Sequence, residues 1–150
     1  MDYYRVHSVR AKIMRIFNTY GPRMAENDGR VVSNFITQAI KGQDITVYGS
    51  GQQTRSFCYV SDAIAATVHC AETVGGQVIN IGNDREIRIL DAANIIARAL
   101  GHENVQWQIE PSLPGSTAVR RPDISKLRKT MTSYDPISFE EAIARMLTKR

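Results

Sequence analysis

Lys12-Ile13-Met14-Arg15-Ile16-Phe17-Asn18-Thr19-Tyr20-Gly21-Pro22 is a short apolar run that ends in a turn sequence, and it reads as a strand followed by a loop. The period then changes. After a turn at Asn27-Asp28-Gly29, Val31, Val32, Phe35, Ile36, Ala39 and Ile40 recur at helical spacing, and Gly42 sits where a left-handed residue stops a helix. Ile45-Thr46-Val47-Tyr48 is a second strand, closed by Gly49-Ser50-Gly51, and Ser56-Phe57-Cys58-Tyr59-Val60 a third. Ser61 is placed to cap a helix carrying Ile64, Ala65, Val68 and Ala71, which Gly75-Gly76 breaks.

The same alternation runs to the end of the chain. Val78–Ile81 reads as a strand, Leu90, Ala93, Ile96, Ala97 and Leu100 as a helix, Val105–Ile109 as a strand and Ile124–Met131 as a short helix. Ser138-Phe139-Glu140-Glu141 has the form of a capping box, in which Ser138 accepts from the third helical amide and Glu141 reaches back. Phe139, Ile143, Met146 and Leu147 follow as an apolar stripe. With no repeat, low-complexity segment or linker, residues 1–150 form a single mixed α/β region.

Composition narrows the function classes. No apolar run approaches the ~20 residues that span a bilayer, and no apolar leader follows Met1, so a cytoplasmic protein without a membrane partner is expected. Cys58 and Cys70 form no CxxC pair, and His7, His69 and His102 lack metal-ligand spacing, which argues against a metal site. The net charge of +4 suits an anionic ligand such as a diphosphate, while nucleic-acid motifs are missing.

Three segments combine a turn with polar groups that can face a ligand: Phe17–Pro22, Gln52–Phe57 and Val119–Asp123. Open α/β sheets bind ligands at the carboxyl ends of their strands. Arginine forks match phosphate oxygens, so Arg55 and Arg121, from distant segments, would form a diphosphate clamp if the fold brought them together. Taken singly, each is more often a surface salt-bridge partner.

A resemblance adds to this reading. Arg15–Met24 resembles the motif after a late Rossmann strand in extended short-chain dehydrogenases. Asp28–Ile36 and Thr46–Asp62 resemble the UDP-glucuronate decarboxylase (UDP-xylose synthase) branch, and Asn80-Ile81-Gly82-Asn83 and Arg121-Pro122-Asp123 follow in family order. The implied fold is the C-terminal part of an extended Rossmann-type, NAD-dependent epimerase/dehydratase-like fold, truncated at the N-terminus. It would hold the last Rossmann elements and a sugar-nucleotide-binding subdomain, with Met1–Val9 as the tail of the preceding helix. The implied ligand is a UDP-sugar, the implied cofactor NAD and the implied assembly a homodimer.

The resemblance assigns substrate contacts to Asn18, Arg30, Val31, Val32, Thr46, Tyr48, Arg55 and Arg121. Thr46 and Tyr48 would bracket the uracil, Arg55 and Arg121 would grip the phosphates, Asp62 would orient a neighbouring group, and Thr19 would lie near the nicotinamide. Members of the family oxidise C4 of the glucuronate with NAD, lose carbon dioxide and return the hydride, using a Tyr-x-x-x-Lys pair. Here the residues four after each tyrosine are His7, Ser8, Met24, Gln52, Ala63 and Ser138, so no catalytic residue is assigned. No G-x-x-G-x-x-G or G-x-G-x-x-G occurs either, which removes the dinucleotide fingerprint. Arg88 stands where the family has a capping Ser or Thr. The expected function is therefore that of the sugar-nucleotide-binding portion of a UDP-glucuronate decarboxylase, inactive alone. A non-catalytic UDP-sugar-binding module and a related epimerase or 4,6-dehydratase stay open as alternatives.

Overall fold

A computed structural model describes every residue except 1, 27, 74, 103–105, 113 and 149–150. Asn27 of the expected turn and Val105 of the expected strand lie outside the described residues. In chain order the elements are α1 (Asp2–His7), β1 (Ile13–Ile16), β2 (Thr19–Tyr20), α2 (Val31–Ile40), β3 (Ile45–Tyr48), β4 (Thr54–Ser56), β5 (Cys58–Tyr59), α3 (Val60–Thr73), β6 (Val78–Ile81), β7 (Glu86–Arg88), α4 (Ile89–Ala99), β8 (Trp107–Glu110), β9 (Val119–Arg120), α5 (Ser125–Thr130) and α6 (Phe139–Thr148). They divide between two compact units, each assembled from three separated stretches of chain.

The first unit comprises Met1–Thr19, Ser56–Arg85 and Arg121–Ile137. Its β1 and β6 pair in parallel, Ile13 opposite Val78 and Ile16 opposite Ile81. Ile79 and Ile81 turn inward on the period of two and meet Ala63, Ala66 and Cys70 of α3 and Leu127 of α5. Tyr134 enters the same core, where its hydroxyl donates to the Gly82 carbonyl at 2.9 Å and lies 3.6 Å from Cys58 Sγ. Burial holds both groups protonated: it pushes the Cys58 thiol up to about 11 and raises the Tyr134 phenol. The Tyr134 loop is pinned by Arg128, bonded to the Tyr134 carbonyl and to Asp84, and by Arg85, bonded to the Pro136 carbonyl and to Asp135. The Asp62 carboxylate accepts from the Ile137 amide at 3.1 Å, the orienting role expected of it.

The second unit comprises Tyr20–Arg55, Glu86–Arg120 and Ser138–Arg150. Its β3 pairs with β8 in parallel, and a second small sheet has the order β7-β4-β9. Helices α2 and α6 both pack on α4, whose Ala92, Ala93, Ile96 and Ala97 are buried. The alanines keep the helices close while Phe35, Ile45, Val47 and Ile143 fill the space between. Tyr20 and Phe139 meet with ring centroids 5.4 Å apart.

Three local expectations need correction. The expected strand Ser56–Val60 is two short strands broken at Phe57, and Val60 already begins α3. Ser61 therefore lies inside the helix rather than capping it, and its hydroxyl donates to Asp62 at 3.4 Å. Half of the capping box forms: the Glu141 amide donates to Ser138 Oγ at 3.1 Å, but the Glu141 carboxylate takes Arg145 one turn along the helix instead. Gly42, at φ 64°, does follow α2 in the left-handed region.

Candidate functional site

A recess of about 130 Å³ in the second unit gathers residues from both sheets and α2: Gly29, Val31, Asn34, Phe35, Thr46, Tyr48, Gln53, Arg55, Ile89 and Ser116. It brings together four residues singled out from sequence: Val31, Thr46, Tyr48 and Arg55. Its volume falls below the roughly 300–1,000 Å³ of whole small-molecule pockets, so it suits one part of a ligand.

The strand β3 forms one wall. Ile45 and Gly49 donate to the carbonyls of Gln106 and Glu110, so the odd-numbered residues direct their backbone groups at β8. Thr46 and Tyr48 therefore direct theirs to the opposite edge. Two glutamines engage that edge. The Thr46 amide donates to Gln38 Oε1 at 3.1 Å, and Gln53 Nε2 donates to the Tyr48 carbonyl at 2.6 Å. Between these points lie the Thr46 carbonyl and the Tyr48 amide, an acceptor beside a donor. Side chains follow the same alternation: Ile45 and Val47 are buried, Thr46 is half-buried and Tyr48 is exposed.

Arg55 supplies the charge. Its Nη1 donates to the carbonyls of Thr54 and Thr117 at 2.7 and 3.0 Å, which fixes the guanidinium at the recess. In the β4–β9 register Arg55 stands opposite Arg120. Burial and then the like charge of Arg120 lower the Arg55 pKa. Like charges opposite each other in a sheet are destabilising, and an anion between them removes that cost. The sequence reading named Arg121 of the adjacent Arg120-Arg121 pair, whereas the register sets Arg120 opposite Arg55.

At the start of α2, the helix begins at Val31 with Arg30 as its flanking residue and no side-chain cap from it. Asp28, just before it, accepts from the Arg30 amide at 2.9 Å and from the Ser33 hydroxyl. Burial pushes the Asp28 carboxyl up, but these bonds outweigh it and the pKa is lowered. Arg30 is exposed and its Nε lies 3.6 Å from the same carboxylate. Val31 lines the recess, whereas the Val32 side chain is buried in the core.

Asn18, Thr19 and Arg121 belong to the first unit. Asn18, at φ 37°, donates through Nδ2 to the Ser56 carbonyl at 3.0 Å and accepts from the Cys58 amide at 3.1 Å. Asparagine tolerates this left-handed conformation better than most residues. Thr19 Oγ1 lies 3.5 Å from the Phe17 carbonyl, and Arg121 is exposed beside Asp123.

Residues 1–82 match the profile of the NAD dependent epimerase/dehydratase family. The chain belongs to that family. It is 40% identical over 148 residues to UDP-glucuronic acid decarboxylase 1 of Arabidopsis thaliana, covering 99% of this chain and 34% of that protein. Against UDP-glucuronic acid decarboxylase 1 of Danio rerio it is 42% identical over 135 residues, 90% of this chain and 32% of the relative. Among solved structures it superposes on UDP-glucuronic acid 4-epimerase of Bacillus cereus in complex with UDP-glucuronic acid and NAD, with a TM-score of 0.85 at 29% identity, covering 98% of this chain and 47% of that one. The chain thus spans about a third of these curated relatives and under half of that structure. Its fold is the epimerase/dehydratase Rossmann-like fold, in a mixed α/β chain.

The glycines that follow β3 and β6 do not fit the family's dinucleotide cofactor. Its pyrophosphate needs glycine backbone laid open between a strand and a helix. Gly49 and Gly51 follow β3, but a Cβ on either would run into this chain's own Ser112 and Leu90 side chains. A Cβ on Gly82, after β6, would lie 3.1 Å from Pro122 and 3.2 Å from Phe17. None of these three turns offers an open phosphate cradle. No helix of the described residues is long and apolar enough to cross a membrane.

Proposed function

We propose that this chain is the sugar-nucleotide-holding portion of an NAD-dependent UDP-glucuronate decarboxylase, and that its own work is to bind UDP-sugar. The observation that carries the reading is the recess joining an acceptor–donor strand edge at Thr46 and Tyr48 to the fixed guanidinium of Arg55, which stands opposite Arg120 in the β4–β9 register. A uracil imide offers the matching N–H and carbonyl, and a diphosphate relieves the like-charge contact. The first amides of α2, at Val31 and Val32, point out of a helix N-terminus and favour an anion there. For Arg30, Asn18, Thr19 and Arg121 the proposal rests on the sequence resemblance alone.

Titration calorimetry with UDP and with uridine tests the reading. UDP binds, uridine binds far more weakly, and Arg55→Ala weakens UDP by roughly tenfold or more, since a hydrogen bond to a charged group contributes about 1.5–3 kcal/mol. A properly folded chain with no UDP binding overturns it. A non-catalytic UDP-sugar-binding module is the second reading, favoured by the lack of any Tyr-x-x-x-Lys in the 150 residues.

A further inference from the structure

The connector between α1 and β1 is tied down along its length. Helix α1 stops at Ser8, at φ 54°, and the Val9 amide donates back to the Tyr3 carbonyl at 3.4 Å, a left-handed helix end with serine in the place glycine usually takes. The Ala11 amide then donates to the Val9 carbonyl at 2.6 Å, the Ala11 carbonyl accepts from the Gly76 amide at 3.2 Å, and the Ile13 amide donates to the Gln77 carbonyl at 3.3 Å. Tyr4 of α1 lies against Gly76, where a Cβ would come within 2.5 Å of its ring. Beside this held backbone, in the first unit, is a recess of about 590 Å³ whose lining includes Tyr4, Arg5, Ser8, Arg10, Lys12 and Glu72. Its charges are three cations and one carboxylate. Arg5 reaches Asp2 only at 3.9 Å, and among the described residues Arg10, Lys12 and Glu72 make no ion pair.

We propose that this recess is a second anion site of the chain, built from residues other than those around Arg55, and that it takes a small polyphosphate. The inference stands apart from the UDP-sugar reading. Guanidinium and ammonium groups only donate, so three of them around one volume call for a ligand rich in acceptor oxygens. Phosphoryl groups carry such oxygens on several sides and suit donors that arrive from α1 and from the connector. The volume is that of a whole small-molecule pocket, and the cations are grouped in a recess rather than spread along a stripe, which favours a compact ligand over a nucleic-acid strand. Because hydrogen bonds already fix the connector, less backbone ordering is left for the ligand to impose. Glu72 opposes an anion and holds the affinity down. The competing role for Arg10 and Lys12 is to face the carbonyl end of α3, whose Thr73 also lines the recess. That role needs no ligand.

The test titrates inorganic triphosphate calorimetrically into the 150-residue chain carrying Arg55→Ala, which disables the other cationic recess. One triphosphate per chain is expected to bind, more weakly as salt rises. Adding Arg10→Gln and Lys12→Gln should weaken it by roughly tenfold or more, since both remove charge-assisted hydrogen bonds. Glu72→Gln should instead tighten it by about twofold, the worth of one exposed charge contact. Gly76→Ala leaves every cation in place but displaces Tyr4, and should also weaken binding; if it fails to fold, the charge variants decide alone. No binding by the Arg55→Ala chain overturns the proposal. So does an affinity unmoved by the Arg10 and Lys12 changes, or one that falls with Glu72→Gln. A lowered Tm in the Arg10 and Lys12 variant with triphosphate affinity unchanged assigns those cations to the end of α3 and overturns it as well.

Discussion

Replacing Arg120 by alanine separates what a charge does for a fold from what it does for a ligand. Arg120 stands opposite Arg55 across the β4–β9 ladder, and Arg55 cannot swing away because Thr54 and Thr117 hold its Nη1. Opposed cross-strand pairs contribute about 0.2–1 kcal/mol, here at the low end because Arg120 is exposed and screened by solvent. Removing the charge should therefore stabilise the ligand-free chain slightly, raising Tm by up to about 1 °C. The gain should shrink as salt rises. The same change should weaken UDP by roughly tenfold or more, through a lost charge-assisted hydrogen bond. Thermal melts at low and high salt, with and without UDP, read both signs in one series, since ligand raises Tm only through its affinity. A variant that melts lower than wild type without ligand, or that binds UDP as tightly, refutes the argument.

Incubated with UDP-glucuronate and NAD, the chain should yield no UDP-xylose, because it carries no Tyr-x-x-x-Lys and the glycine turns after β3 and β6 offer no open phosphate cradle; chromatography against a no-protein control checks this. Stability should fall as pH rises from about 9 to 11, because the Cys58 thiol titrates at about 11 in the fold against an ordinary value of 9.0. The folded state holds that proton more tightly, so the contribution is complete below pH 9 and lost above, and urea melts of Cys58→Ala should lack this part of the slope. The chain should also self-associate: β1 has β6 on one side, and its Ile13 and Ile16 are 43% and 61% exposed. Unpaired strand edges template contacts with other chains, and light scattering after size exclusion should find species above 16.8 kDa; a clean monomer with a sharp, high-temperature melt contradicts this.

Periodicity carried the long elements. Val31 to Ile40 and Leu90 to Leu100 repeat their apolar residues over three turns, and the helices fall within a residue of those bounds. Strands of two or three residues, such as Thr19–Tyr20, Glu86–Arg88 and Val119–Arg120, have no room for a period, so nothing in their composition announced them. The site divided in the same way. Thr46 and Tyr48 were named from the family resemblance, and the strand that carries them was evident from its composition. Gln38 was not, since its partner is eight residues away across a turn. Arg120 was hidden in a doublet that only long-range pairing resolves. Arg88 was legible as a missing cap: its side chain makes no cap bond and instead grips Asp91 through two hydrogen bonds.

Each unit's three stretches interleave along the chain, and this governs how the protein can be made. The first unit cannot close until Arg121–Ile137 has emerged from the ribosome, and the second waits for Ser138 onward. Neither can fold as a finished body during synthesis, in contrast to chains whose domains follow one another. Nearly all of these 150 residues must be present before either core is complete, and contacts between distant stretches slow folding through loop-closure entropy. During that interval β1 and α2 are already synthesised while β6 and α4, against which they pair and pack, are still to come, so their apolar residues stay uncovered. Cutting the chain at any single peptide bond between Tyr20 and Arg120 would leave no piece holding either unit entire.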